Sequence, residues 1–321
     1  MQAVRVHEGG VLVYETVPDP KPGDGEVLVE LRCAGLNRRD SYVSRGVYPF
    51  PLPLIPGSDG SGVRRDTGEE VVIYPAFGWA PGEAFPGDSF EILGGPRDGT
   101  YAELVAVPVA NLLRKPSRLS WEEAAALPLA ALTAYRALFT RARLQPGETV
   151  LVLGAGSGVS TFAVQLGAQA MARVLVTSAS DEKIDRAREL GADAGVNYAT
   201  TPDWPAAVKE LGGADVVIDS IGSTWQQSLE CLRGRGGRVV VFGATGGTDV
   251  TLQVRPFYFG QQSLLGTMMG SPDDFAGLLR MVDTGSWRPV IDSVRPLGEA
   301  AAAVERMVSG AQFGKLVLTC A

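Results

Sequence analysis

Histidine is almost missing from this chain of 321 residues: there is one, His7. Cysteine is scarce as well, with Cys33, Cys231 and Cys320 far apart in sequence. Structural and catalytic zinc sites draw their ligands mainly from thiolates and imidazoles, so these counts leave too few candidates. An odd, sparse set of cysteines builds no disulfide framework and fits a reducing compartment. A Ser-His-Asp triad is excluded unless His7, near the first strand, reaches it. No apolar run attains the roughly 18 residues of a membrane span. The opening MQAVRVHEGG lacks the apolar stretch of a secretory leader. A cytoplasmic location with no membrane partner is therefore expected. Cations are in deficit, with 29 Lys and Arg against 36 Asp and Glu and a net charge of -7. That argues against nucleic acid as the main partner, because phosphate binding needs clustered basic residues.

What is present is ordinary globular composition, 45% hydrophobic and 20% charged, in a length that suits two domains. The pattern changes near residue 117. Before it, short β-type runs alternate with Pro/Gly turns: Met1–Val6, Val11–Thr16, Glu26–Cys33, Glu70–Ala76 and Tyr101–Pro108. Their spacing suggests a small barrel or sandwich. Ala76–Gly99 reads as a long loop. From Ser120, an N-cap followed by Glu122 and Glu123, a helical stretch runs toward Arg143 with a break expected at Pro128. Apolar strands and helices then alternate, with strands at Thr149–Leu153, Arg173–Thr177, Asp215–Asp219 and Arg238–Phe242, and one more at Ser263–Met268. Continuous apolar strands separated by helices mean a parallel sheet covered on both faces. The tail, from about Trp287, holds a strand-like segment, a helix at Gly298–Val308 and a closing strand, Lys315–Thr319.

The most informative local motif is Gly154-Ala-Gly156-Ser157-Gly158-Val159-Ser160, where a strand ends and a helix begins. A pyrophosphate sits there against backbone N–H groups, and glycine lets it approach. The usual G-x-G-x-x-G is not met, since Val159 or Thr161 falls at its last position, and a tight strand–helix turn is the plain alternative. At the end of the second strand an NAD site carries Asp or Glu for the ribose 2′-OH. Here Ser178 stands at that place, followed by Ser180, Asp181, Lys183 and Arg186. Small hydroxyls with nearby cations suit a 2′-phosphate. Ser180 or Asp181 capping a helix, with Lys183 and Arg186 on its solvated face, is the other reading, and the two are compatible.

With these residues in hand, the chain resembles the medium-chain dehydrogenase/reductase superfamily, and most closely its zinc-free, quinone-oxidoreductase-like branch. The likeness runs through Gly35–Gly46, Pro53–Gly62, Asp98–Glu103, Leu132–Tyr135, Asp219–Gly222, Gly236–Arg238, Gly243–Ala244 and Phe313–Leu318. Zinc alcohol dehydrogenases of the superfamily carry Cys at the place of Asn37, His-Glu at Ser58-Asp59 and a third ligand near Leu129; none of these ligands is kept. The resemblance implies no catalytic zinc. It implies an α/β architecture: a GroES-like β-barrel catalytic domain, residues 1–117 completed by 287–321, and a Rossmann doubly wound parallel-sheet cofactor domain, residues 118–286. The active site would be the cleft between them. Ser160 replaces the loop's last glycine, which suggests a helix docked slightly farther from the strand.

The implied reaction is hydride transfer from NADPH. Without a Lewis acid, the expected acceptor is one that weak hydrogen-bond polarisation suffices to activate, such as a quinone or an α,β-unsaturated carbonyl. Asn37 is the first candidate to hydrogen-bond a developing oxyanion. Tyr42 is a candidate proton donor or a packed aromatic with its OH on backbone. Asp40 is a third polar candidate, with an ion pair to Arg38 or Arg39 as the alternative, and Arg39 offers a positive charge near the substrate. On the cofactor side, Thr133 lies where the family contacts the nicotinamide end. Gly243 and Ala244 end a strand as nicotinamide-adjacent backbone does, and Tyr198 stands where the family can contact the 2′-phosphate. A homodimer through Ser263–Met268 is expected. A zinc-free carbonyl reductase or alcohol dehydrogenase, and a non-catalytic NADPH-binding relative, remain alternatives. A nucleoside-cofactor methyltransferase would lack the barrel segments.

Overall fold

The computed structural model describes residues 1–320 and contains two compact units, Met1–Leu132 with Ser271 onward, and Thr133–Gly270. In chain order the first unit opens with the antiparallel pair β1 (Gln2–Val6) and β2 (Leu12–Thr16). Then come β3 (Glu26–Gly35), α1 (Arg38–Ser44), β4 (Asp59–Arg64) and β5 (Glu70–Ile73). A small pair, β6 (Ala76–Phe77) with β7 (Glu91–Ile92), sits inside the loop expected at 76–99. β8 (Leu104–Pro108), β9 (Leu112–Arg114), α2 (Trp121–Ala126) and α3 (Ala130–Tyr135) follow. The second unit alternates β10 (Thr149–Val152), α4 (Gly158–Gln169), β11 (Arg173–Ser178), α5 (Asp181–Glu189), β12 (Ala194–Asn197), α6 (Trp204–Glu210), β13 (Val216–Asp219), α7 (Trp225–Glu230), β14 (Arg238–Val241), α8 (Val254–Phe259) and β15 (Ser263–Gly266). The chain ends with α9 (Pro272–Thr284), β16 (Ile291–Pro296), α10 (Ala300–Val308) and β17 (Lys315–Thr319).

The barrel unit is built on a seven-stranded sheet in the order β16-β17-β3-β4-β5-β9, with β8 also on β3. β3 is long enough to serve two neighbours: residues 26–30 pair with β8 and residues 33–35 with β17. The tail therefore closes the first unit. Val29, Leu31, Ile73, Tyr101, Leu316 and Leu318 bury their side chains in its core. This unit also takes in residues 118–132 and 271–286, which the sequence pattern had grouped with the cofactor domain. α9 belongs here because Phe275 stacks near Tyr74, with ring centroids 5.8 Å apart, and Arg118 donates to Val282 O and Trp287 O. Ser120 caps α2 as expected, with Glu123 returning to its N–H.

The cofactor unit carries six parallel strands in the order β12-β11-β10-β13-β14-β15. β10 and β13 are buried along their whole length, as sheets covered by helices on both faces require. The order reverses direction at β10, and that topological switch point is where the glycine turn lies. Pattern reading missed α1, α6, α8 and α9. The first three are six or seven residues long, too short to show helical periodicity.

Candidate active site

The barrel unit concentrates buried polar groups around Lys315. Its Nζ donates to Leu36 O, to Asn37 Oδ1 at 2.8 Å and to Asp59 Oδ2 at 3.1 Å. An ammonium has three hydrogens and accepts nothing, so these three acceptors use its whole capacity. The same rule fixes the Asn37 amide: the atom facing Lys315 must be the oxygen. Asp59 Oδ1 accepts from Leu129 N at 2.8 Å. Pro128 breaks the helix there, and the N–H groups at a helix start have no internal acceptor. Asp59 is fully buried. Burial pushes its carboxyl up, while the Lys315 ammonium, the Asn37 amide and the Leu129 N–H pull the other way.

Asn37 stands at the N-cap of α1, in a capping box with Asp40. Its N–H donates to Asp40 Oδ2 at 2.8 Å. With Oδ1 committed to Lys315, Nδ2 is a buried donor with no acceptor at hydrogen-bond distance among the described residues, and its pull on the Asp59 carboxyl acts from farther away. Such a group is costly to leave unpaired, and its presence marks a place where an incoming acceptor atom is favoured.

Asp40 is placed differently from the sequence expectation. Among the described residues it forms no ion pair with either neighbouring arginine; its Oδ2 accepts from Asn37 N and from Tyr101 OH at 2.9 Å. Its Oδ1 is buried without a partner. Burial raises the Asp40 carboxyl to about 6, opposed by the Arg39 charge and by both hydrogen bonds. Arg39 is itself engaged, donating to Ser58 Oγ at 2.9 Å and to Leu93 O and Gly95 O. It ties α1 to the 93–95 loop and offers no open charge to a substrate. Tyr42 is half-buried in an aromatic row with Tyr48 and Phe50, at centroid distances of 6.1 and 6.0 Å. Its hydroxyl does not bond to backbone among the described residues, contrary to the packed reading.

In the cofactor unit, Gly154 turns the chain at φ +70°, and a Cβ there would project into open space. The turn is stitched to β11: Ala155 N donates to Thr177 O, and Gly154 N reaches Thr177 Oγ1 at 3.4 Å. The Ser157 hydroxyl is engaged inside the turn, accepting from Ser160 N and pairing with Ser160 Oγ at 2.7 Å. Ser160 Oγ in turn donates to Leu153 O at 2.9 Å. The residue in place of glycine therefore pins α4 to the end of β10 by a hydrogen bond. The N–H groups of Gly158 and Val159 open α4, where a helix offers them no acceptor. Together with the turn at Gly154–Gly156, N–H groups at a helix start of this kind suit a pyrophosphate.

Ser178 ends β11 and Ser180 caps α5, accepting from Lys183 N at 3.3 Å. Ser178 Oγ accepts from Ser180 N, and Tyr198 N donates to Ser178 O. Tyr198 thus shares one corner of the unit with Ser178, Ser180 and Lys183. Lys183 is half-buried and Tyr198 exposed. Thr133 is buried in α3. Gly243 and Ala244 lie in an exposed loop beyond β14; Gly243 has φ +78°, and a Cβ on it would come 3.1 Å from Ser220 O. Asp219, quoted in the sequence only as part of a family segment, organises the facing turn. Its carboxylate accepts from Ile221 N, Thr224 Oγ1 and Ser228 Oγ at 2.7–2.8 Å.

These two constellations define an oxidoreductase of the dehydrogenase type, one unit shaped for a dinucleotide and the other carrying a buried donor. Residues 23–117 match the family of alcohol dehydrogenase GroES-like domains, and residues 158–284 match that of zinc-binding dehydrogenases. The chain is 38% identical to a zinc-type alcohol dehydrogenase-like protein of Schizosaccharomyces pombe, covering 93% of this chain and 92% of that protein. It is 30% identical to the quinone oxidoreductase of Mus musculus over 99% and 97% of the two chains. A crystal structure of an NAD-dependent alcohol dehydrogenase superposes with a TM-score of 0.92 at 39% identity, over 99% of both chains. The chain belongs to the medium-chain dehydrogenase/reductase superfamily. Among the described residues no helix is long and apolar enough to cross a membrane.

The places where zinc relatives would hold their metal are occupied by another kind of chemistry. Asn37, Ser58, Asp59 and Leu129 supply no thiolate or imidazole. Ser58 Oγ donates to Leu93 O at 2.8 Å, and the Asp59 carboxylate already faces an ammonium. A divalent cation beside Lys315 would meet like charge, so these residues do not fit zinc. The cradle at Gly154–Val159 does fit a nicotinamide dinucleotide.

Proposed function

We propose that this protein is a zinc-independent, NADPH-dependent oxidoreductase whose acceptor is a quinone or an α,β-unsaturated carbonyl. The observation that carries the reading is Asn37 Nδ2, a buried donor without an acceptor where a metal-dependent relative would have its metal. Bound NADPH supplies the hydride. Asn37 donates to the acceptor oxygen as it gains charge and becomes an enolate or phenolate oxygen. A hydrogen bond suffices for such delocalised oxyanions, whereas an alcohol needs a stronger means of losing its proton. Tyr42, with its hydroxyl free of backbone, is the proposed proton donor. Asp40 acts through Asn37 by holding its N–H. Backbone at Gly154–Val159, with Thr133, Gly243 and Ala244, binds the dinucleotide, and Ser178, Ser180, Lys183 and Tyr198 receive the 2′-phosphate. The buried free thiols Cys33, Cys231 and Cys320 support a cytoplasmic setting. A homodimer through β15 is part of this proposal, because that strand has an open edge and Val254, Tyr258 and Phe259 nearby in sequence are 71, 57 and 56% exposed.

Fluorescence titration with NADPH and NADH tests the cofactor first: NADPH should bind at least about tenfold tighter, or 1.4 kcal/mol. An enone, a benzoquinone and an aldehyde offered in parallel then test the acceptor, with turnover expected for the first two. Dialysis against a chelator should leave that turnover unchanged. Preference for NADH, aldehyde as the sole acceptor, or loss of turnover to the chelator would each sink its part of the reading. Sedimentation of the purified chain as a monomer would remove the dimer.

A further inference from the structure

We infer that Lys315 is a positioning residue: its ammonium orients the Asn37 amide so that Nδ2, and not Oδ1, faces the acceptor oxygen. The inference rests on the reading of Asn37 as the oxyanion donor and deepens it. An amide can present either end, and its two orientations are nearly equal in shape. In this barrel one orientation is selected by a group that can only donate. Lys315 lies 2.8 Å from Asn37 Oδ1, and flipping the amide would set an NH2 against an NH3⁺. The same flip would turn a lone pair toward the oxygen that becomes negative during reaction.

Lys315 cannot take the electrophile's place itself. Its three hydrogens are already taken by Leu36 O, Asn37 Oδ1 and Asp59 Oδ2, and its side chain is only 3% exposed. It therefore acts through Asn37. The remainder of the network holds the ammonium in position. Asp59 is anchored from the other side by Leu129 N, and Leu36 offers its carbonyl because it lies between the end of β3 and the start of α1. The Asn37 backbone is fixed by Asp40, which in turn is held by Tyr101. Every bond converges on one result, a single free N–H2 with its direction set. The group responsible sits on the closing strand of the chain, 278 residues from the amide it orients.

A double-mutant cycle separates this role from a merely structural one. Lys315→Met should lower kcat for the accepted quinone or enone about tenfold, with the Kd for NADPH unchanged. In an Asn37→Ala background the same substitution should lower kcat less than twofold. Equal losses in both backgrounds, or no loss in the first, would overturn the inference. If Asn37→Ala alone keeps wild-type turnover, it is the donor reading that fails, and the two failures are told apart. Because Lys315→Met leaves Asp59 unpaired, Lys315→Met/Asp59→Ala removes both charges together and should show the same loss in kcat. A readout without turnover is the side-chain amide of Asn37 in a ¹H–¹⁵N spectrum, identified by its absence in Asn37→Ala. Its protons should exchange slowly with solvent in the wild type and at least fivefold faster in the variant lacking both charges. Unchanged exchange would speak against orientation by Lys315.

Discussion

The two units hold their functional polar groups in opposite ways. In the cofactor unit the groups are mostly backbone N–H, set at a partly buried turn and supported by contacts three residues long, such as Ser157 with Ser160 and Ser180 with Lys183. In the barrel unit they are buried side chains joined across 256 and 278 residues. A backbone cradle tolerates changes of side chain as long as the turn survives. A buried network does not, because removing one partner strands the others without water to replace it. The barrel unit should therefore be the more fragile in function, and the cofactor unit the more adjustable.

The largest effect that would sharpen this contrast is expected at Asn37. Asn37→Ala should reduce kcat by roughly 10²- to 10³-fold, the usual cost of one oxyanion donor, with cofactor affinity intact; steady-state rates beside NADPH titration check both. Next comes the pH dependence of stability in the barrel. A folded Asp40 near 6, against about 3.9 for an unfolded aspartate, binds its proton more tightly in the native state. Stability therefore falls as pH rises from about 4 to 6, by an amount on the order of 2 kcal/mol. Asp40→Asn should flatten that slope, read from urea midpoints across the range; an unchanged slope would place the titration elsewhere.

In the cofactor unit, Ser178→Asp should weaken NADPH binding about tenfold, some 1.4 kcal/mol, while leaving NADH unchanged. Equal loss of both cofactors would mean that the corner does not meet the 2′-phosphate. The smallest effect is expected at the residue that pins α4. Ser160→Gly removes the bond to Leu153 O, and should cost about 1 kcal/mol of stability and change NADPH affinity less than threefold. A collapse of binding there would reverse the comparison, making the cradle as brittle as the buried network.

How much the sequence reveals follows the same division. The parallel sheet is legible because β10, β11, β13 and β14 are short continuous apolar runs between helices. The glycine turn and the Ser178 corner are legible because their residues follow one another at strand ends. The barrel's early strands show through alternation and Pro/Gly punctuation. Asn37 is legible through the residue that zinc relatives place there, but its unpaired donor is not, since nothing near residue 37 indicates what faces its oxygen. Lys315 reads in the sequence as no more than the first residue of a closing strand. Asp40 invited pairing with the two arginines beside it, yet adjacent residues on α1 face apart, and Tyr101 takes the carboxylate instead. The charge of Arg39 is likewise taken up out of sequence: its partners, Ser58, Leu93 and Gly95, come from other turns of the chain. The unit boundaries moved because α9 has an apolar face whose partner, Tyr74, lies about 200 residues earlier.

Strand β17 also sets an order of events in synthesis. The cofactor unit is one uninterrupted stretch, Thr133–Gly270, whereas the barrel unit needs residues from both sides of it. Ribosomes deliver the chain from its N-terminus, and domains tend to fold as they emerge. The unit that comes first in sequence must then wait for the one in the middle, holding the Cys33–Gly35 end of β3 unpaired on one side until β17 arrives. An open edge strand is a template for unwanted pairing. Nascent chains halted before residue 315 should accordingly be the ones that recruit chaperones, and catalytic competence should come with the last strand.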